Sequence, residues 1–324
     1  MLLGIAATLG SAGLTVGEVY TAILAHFFPN MFQSTPLADT IVWDYRLHRI
    51  LFAVAAGYGL AIAGAIMQGV LRNPLASPFT LGIATAAAFG ASIAIVLGVG
   101  TTFFGGDVAV IISAFIFTIL AAFAIYGLSR YRGVSAESMV LAGIILMYLF
   151  SAMTSFLQYT GSTEQLQEVV FWMFGSLQRT TWEQLALVTV VIAICLPYIM
   201  LRSWDLNAMG QGDQVAKSVG VNVDRTRTGL MMVASLITAS IICFTGTIGF
   251  IGLVSPHITR MAIGGDHRFL IPAAGLVGAA LLLAADSLAR TILAPVILPV
   301  GIMTAFIGIP FFLYLFLRKK EVYW

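Results

Sequence analysis

Long apolar windows, interrupted by short runs of charge, glycine or proline, repeat along this chain almost from end to end. Crossing a hydrocarbon core of about 30 Å takes about 20 apolar residues of helix. The windows that read as spans are 1–15, 49–70, 77–98, 108–129, 138–159, 183–201, 229–247, 250–264, 270–293 and 300–317. The pattern predicts an all-α polytopic membrane protein of about ten transmembrane helices. Its weakest member is the first, MLLGIAATLGSAG, because about 13 apolar residues make only about 20 Å of helix. That window has no basic run ahead of it and does not read as a secretory signal.

An even number of spans puts both termini on one side. With the termini cytoplasmic, twelve basic residues face inward: Arg72, Arg130, Arg132, Arg202, Lys217, Arg225, Arg227, Arg260, Arg268, Arg318, Lys319 and Lys320. Four face outward, Arg46, Arg49, Arg179 and Arg290. The positive-inside rule favours this orientation.

Composition closes off other classes. Hydrophobic residues make up 60% of the chain and charged residues 9%, whereas a soluble domain carries about a quarter charged. The expectation is one membrane domain over residues 1–324, surrounded by lipid, with no partnership with nucleic acid. Cys195 and Cys243 lie inside apolar runs without metal-ligand spacing and read as small buried hydrophobes. No HExxH, no GxSxG and no opposed pair of intramembrane aspartates marks an intramembrane enzyme.

One polar island breaks the apolar rhythm, RSWDLNAMGQGDQVAKSVGVNVDRTRT at 202–228. Six of the thirty charged side chains fall between Asp205 and Arg227, so this stretch must face water. Gly212 to Gly220 holds good helix formers and a glycine stop, which predicts a short helix outside the bilayer. Its GQGDQVAKS imitates a phosphate-binding loop, but Ala216 and Gln211 stand where that loop needs glycine, so ATP must be handled elsewhere.

Three further features bear on architecture. Gly82, Ala86, Gly90, Ala94 and Gly98 recur every four residues, a small-residue stripe that lets helix backbones approach. The outer segments predict a short helix at 16–26 and an amphipathic interfacial helix in EQLQEVVFWMFGSLQ at 164–178. LASPFTLG at 75–82 and LVSPHITR at 253–260 both place Ser-Pro near a membrane edge on oppositely directed spans, which suggests an inverted repeat.

Several blocks occur in one order from residue 46 to the end: RLHRILFAVAAGYGLAIAGAIMQGVLRNPLASPFTLG at 46–82, LAGIIL at 141–146, MGQGDQVAKSVGV in the island, GTIGFIGLVSPHITRMAIGGDHRFLIP at 246–272, AADSLAR at 284–290 and LPVGIMTAFIGIPFFLYLF at 298–316. Together they resemble the permease subunits of type II ABC importers, the FecCD family, which moves iron-siderophores, haem and cobalamin. The resemblance implies a permease in a bacterial or archaeal cytoplasmic membrane. It pairs with a second copy around a central pathway, with two ATPase subunits below that bind ATP and Mg, and a periplasmic binding protein above. No cofactor, metal or catalytic residue is expected in this chain.

The resemblance also distributes roles. ATPase coupling falls on segment 203–228, with Gly212, Asp213, Ala216, Lys217, Gly220, Arg225 and Arg227, the two arginines pairing with ATPase carboxylates. Docking of the binding protein falls on Arg46, Arg49 and Arg290, with an i, i+4 pairing of Arg290 and Asp286 as the structural alternative. A cytoplasmic gate falls on Asn73 and Leu75 and on Ala136 and Glu137. Pathway lining falls on Met147, Met153, Phe156, Tyr159, Met303, Phe306 and Phe312. His257 and His267 read as structural hydrogen-bonding groups. His48 and Ile297 depart from the family's usual proline and glutamate. The cargo implied is an iron chelate, siderophore or haem; the alternatives are the same machinery importing cobalamin or an oxyanion, and, in a different class, an ion-gradient transporter, for which Asp286 beside an arginine is a poor ion site.

Overall fold

The computed structural model describes residues 2–8, 14–131 and 133–317. Every element among them is helical: α1 (Leu2–Thr8), α2 (Val16–Phe27), α3 (Pro36–Thr40), a π-helical turn at Ile41–Leu47 leading into α4 (His48–Leu71), α5 (Ile83–Leu97), α6 (Thr101–Phe104), α7 (Gly106–Tyr131), α8 (Ala136–Thr160), α9 (Thr163–Phe174), α10 (Trp182–Leu201), α11 (Ser203–Gly210), α12 (Asp213–Ser218), α13 (Val223–Thr245), α14 (Ile251–Ile263), α15 (His267–Thr291) and α16 (Val300–Leu317). Polar caps start several of them. Thr15 with Glu18, Ser162 with Gln165 and Thr181 with Gln184 form capping boxes that satisfy the first free backbone donors of α2, α9 and α10.

Among the described residues, six helical stretches are long and apolar enough to cross a membrane: Pro36–Leu71, Gly106–Tyr131, Ala136–Thr160, Trp182–Leu201, Val223–Thr245 and His267–Thr291. The protein is therefore a multi-pass membrane protein. Two more of the expected spans appear as shorter apolar helices, α5 and α16, and a third as the 13-residue α14. Of the window 1–15, α1 covers Leu2–Thr8, residues 9–13 lie outside the described residues, and the capping box at Thr15 starts α2. Arg132 and the basic end Arg318–Lys320 lie outside the described residues.

Helix α4 is the axis of the fold. It is buried over nearly its whole length and packs most closely on α15, then on α13 and α14. Glycine makes those approaches possible: a Cβ on Gly57 would strike the Gly278 carbonyl, and one on Gly64 the Gly252 carbonyl. The small-residue stripe works the same way in α5, where a Cβ on Gly90 would meet the Ser113 carbonyl oxygen of α7 at 2.5 Å.

Pro256 lies inside α14 and cannot donate to the carbonyl of Gly252 four residues back. The buried Gln68 of α4 covers the gap, its Nε2 donating at 3.4 Å to both Gly252 and Leu253 carbonyls. The Ser-Pro of 75–82, in contrast, lies in non-helical turns before α5. The two Ser-Pro sites thus sit in different backbone settings, and the repeat suggested by them does not carry over to local structure.

Candidate functional site

The chain concentrates its charge at two places. The first is buried. Asp286 of α15 is fully enclosed and takes Arg49 of α4, whose Nε and Nη2 donate to Oδ1 at 2.9 and 2.7 Å. One helical turn on, Arg290 Nε lies 3.0 Å from Asp286 Oδ2, the i, i+4 pair anticipated from the sequence. Arg46 donates to the Ala7 carbonyl at 3.0 Å and Arg290 to the Ala6 carbonyl at 3.2 Å, so both arginines also hold α1.

Arg46, Arg49 and Arg290, expected to face outward, turn inward to the packing instead. Each is only 6% exposed, because the helix of α4 extends back through the π-turn to Pro36 and carries Arg46 and Arg49 into the packing with α1 and α15.

The second place is the polar island. It folds as α11 and α12 followed by the first turns of α13. Met209, Ala216 and Val223 make a small core that holds the three together. Gly212, at φ 115°, lets the chain turn into α12, and Gly220, at φ 89°, turns it out again, in conformations that favour glycine. Lys217, Val215 and Val219 are exposed on α12, and Arg225 is exposed on α13.

Arg227 is different. It is fully buried, its Nη2 donating to Asp213 Oδ1 and Oδ2 at 2.8 and 3.0 Å and its Nη1 to the Val134 carbonyl at 2.8 Å. The expected reach of Arg227 toward an ATPase carboxylate is thus corrected: its carboxylate partner lies within the chain. Asp213 also faces Arg72, with Nη2 3.7 Å from Oδ1.

A second set of contacts fastens α11 to the start of α15. Asn207 donates to Asp266 Oδ1 at 2.8 Å and receives the His267 backbone N–H at 2.9 Å, while its Oδ1 lies 2.8 Å from His267 Nδ1. Arg268 pairs with Asp266 and covers the Trp204 ring, 4.0 Å from its centroid. Hydrogen bonds from Arg268 and Asn207 hold the Asp266 carboxyl well below the usual carboxylate range. His267 serves as a hydrogen-bonding group, and His257 packs near Phe311 and Phe312.

Between these parts lies an open cleft of about 450 Å³ lined by Arg72, Asn73 and Pro74 on one wall and Ala136, Glu137 and Ile144 on the other. The structure thus brings together two segments far apart in sequence. Arg72 ends α4 in the left-handed region, at φ 48°, and Asn73 Oδ1 receives the Leu75 N–H at 2.9 Å in a tight turn. Leu75 itself is exposed and is not part of the cleft wall. Ser135 caps α8, and Glu137 sits in its first turn, where the helix end favours a carboxylate.

The residues named for pathway lining differ in exposure. Met153, Phe156 and Tyr159 are exposed on α8 and Phe306 on α16, whereas Met147 and Phe312 are half-buried and Met303 is buried in the core. Val215 of α12 and Val219 at its C-cap form an exposed apolar pair that the sequence did not single out, because two valines four apart in a polar stretch look like ordinary core positions.

The fold is that of a many-helix membrane protein with a polar appendage tied to a cleft. The FecCD transport family matches residues 1–318, and the chain belongs to it as an ABC importer permease. It is 44% identical over 96% of its length, and 89% of the relative's, to a putative ABC transporter permease protein of Methanocaldococcus jannaschii. It is 37% identical to the hemin transport system permease protein of Yersinia pestis, covering 95% of this chain and 93% of that one. Relatives at 38% and 34% identity are named for cobalamin import in Halobacterium salinarum and molybdate import in Haemophilus influenzae. Among solved structures, an inward-facing conformation of a putative metal-chelate type ABC transporter superimposes with a TM-score of 0.80 at 31% identity, covering 93% of this chain and 97% of that one.

Proposed function

We propose that this chain forms, with a second copy, the membrane pathway of an ATP-driven importer whose cargo is an iron chelate, a siderophore complex or haem. Ten spans with both termini in the cytoplasm complete that reading. Two ATPase subunits carry the ATP and Mg, and a binding protein delivers the cargo from outside. The observation that carries the proposal is the water-facing α11–α12 appendage, which has its own small core, presents exposed Val215, Lys217 and Val219, and is tied through Asp213 to the chain bordering the cleft. A compact helix of this kind fits a groove on an ATPase and passes rigid-body motion into the bundle.

In this reading the cleft between Asn73 and Ala136–Glu137 is the cytoplasmic gate, with Leu75 at its rim. The exposed aromatic and methionine face of α8, Met153, Phe156 and Tyr159, lies along the pathway or against the second copy, and soft side chains of this kind suit a bulky chelate. Arg46, Arg49 and Arg290 keep a part in docking through their field: three positive charges against one carboxylate steer an acidic surface without direct contact.

Reconstitution into proteoliposomes with the ATPase and binding protein that co-purify with the chain tests this. ATP-dependent uptake of a ferric siderophore or haemin supports it. Uptake of cobalamin or molybdate instead keeps the machinery and changes the cargo, a reading that the relatives named for those substrates favour. Uptake driven by an ion gradient through this chain alone overturns it.

A further inference from the structure

The carboxylate of Asp213 is shared by two arginines, Arg72 on one wall of the cleft and the buried Arg227, which holds the turn that leads into the other wall. Arg72 ends α4 and immediately precedes Asn73, so its backbone sets the course of the first wall. Arg227 grips both Asp213 oxygens and, with its other terminal nitrogen, the Val134 carbonyl, two residues before Ala136 on the second wall. Asp213 itself is the first residue of α12, the helix whose exposed side offers Val215 and Val219. Any displacement of α12 therefore carries one carboxylate to which both walls are fastened.

The two fastenings differ in firmness. Arg227 is fully buried and holds Asp213 with two short contacts, so that joint moves as a unit. Arg72 is 36% exposed and stands at 3.7 Å, a water-accessible contact that can part and re-form. A rigid link to one wall and a loose link to the other convert a shift of α12 into a change of cleft width.

We propose that Asp213 is the positioning residue that transmits movement of α12 to both walls of the inner cleft, rigidly through Arg227 to the Val134–Ala136 turn and releasably through Arg72 to the Asn73–Leu75 turn. The proposal rests on the importer reading and adds to it the route by which the appendage acts on the gate. Neither a place on the ATPase surface nor contact with cargo is required of Asp213.

The test uses the full chain in nanodiscs with its co-purified ATPase and reads the reaction of a single introduced thiol, Ile144→Cys on the cleft wall, with a polar maleimide; Cys195 and Cys243 are buried. In the otherwise unchanged protein, ATP and Mg alter the labelling rate. Arg72→Gln is expected to bind the ATPase, because α12 is untouched, and both Asp213→Asn and Arg72→Gln are expected to bring the ratio of rates with and without ATP close to one. Asp213→Glu, which restores the charge, is expected to recover a nucleotide response. A merely structural Asp213 would shift the resting rate while leaving the ratio as it was, and that outcome overturns the proposal. Should Asp213→Asn fail to fold, Arg72→Gln at the exposed side decides the matter alone. If ATP leaves labelling unchanged in the parent protein, the importer reading fails and the relay with it; a responding parent with equally responding variants sinks the relay only.

Discussion

Two carboxylates, Asp286 and Asp213, each sit between arginines from different parts of the chain, and they differ chiefly in their access to water. Asp286 is fully enclosed, with Arg49 and Arg290 almost as deeply buried. Asp213 is 28% exposed, with one partner buried and the other at the edge of an open cleft. In low dielectric a charge left without its partner is severely penalised, so the Asp286 cluster can only be whole or broken. At a wet edge the same ion pair contributes little and can be exchanged for water. The comparison teaches that one charge pattern makes a permanent fastener where it is enclosed and an exchangeable contact where water reaches it.

The largest effect is expected at the fastener. Asp286→Ala leaves Arg49 and Arg290 buried without their carboxylate and should cost about 3–5 kcal/mol, seen as a collapse of monodisperse protein in detergent and a lower thermal midpoint. A variant as stable as the parent breaks the comparison. Next, Arg46→Ala removes the charge-assisted bond to the Ala7 carbonyl and should cost about 1.5–3 kcal/mol, with faster hydrogen exchange confined to α1.

At the wet edge, Arg72→Gln should change stability by at most about 1 kcal/mol, within the scatter of a thermal melt. Raising the salt concentration should weaken the Arg72–Asp213 contact while sparing Arg49–Asp286. A destabilisation as large as that of Asp286→Ala would erase the distinction between the two sites.

The smallest effect concerns pH. Asp266 has its pKa depressed by Arg268 and Asn207, so the stabilisation it gives the α11–α15 junction is full above the unfolded carboxylate value of about 3.9 and fades only as pH falls through the still lower folded value. The fluorescence of Trp204, stacked on Arg268 and isolated by subtracting the spectrum of Trp204→Phe, should therefore stay constant between about pH 8 and 5. A titration near neutral pH would show that this junction is not held by the Asp266 carboxylate.

Much of the architecture was legible from the sequence. Apolar windows give long helices because lipid offers no partner for backbone polar groups, and 108–129, 138–159 and 183–201 fall inside α7, α8 and α10. The short helix ended by Gly220 was readable for the same local reason, since a glycine at positive φ is a stop that needs no tertiary help. The destination of a long charged side chain was not. Arg46, Arg49 and Arg227 look solvent-bound in sequence and are buried in the structure, because their partners Ala7, Asp286 and Val134 lie 39, 237 and 93 residues away.

By itself, then, the sequence determined that this chain lives in a membrane as a bundle of helices, that one polar stretch stays in water, and which family it resembles, because hydropathy, caps and motif blocks are local properties of the chain. Only the tertiary structure decided which arginines meet which carboxylates and that segments 72–74 and 136–144 face one cleft. Those pairings arise when distant helices pack and close the space between them, and no periodicity along the chain records which helix will be the neighbour.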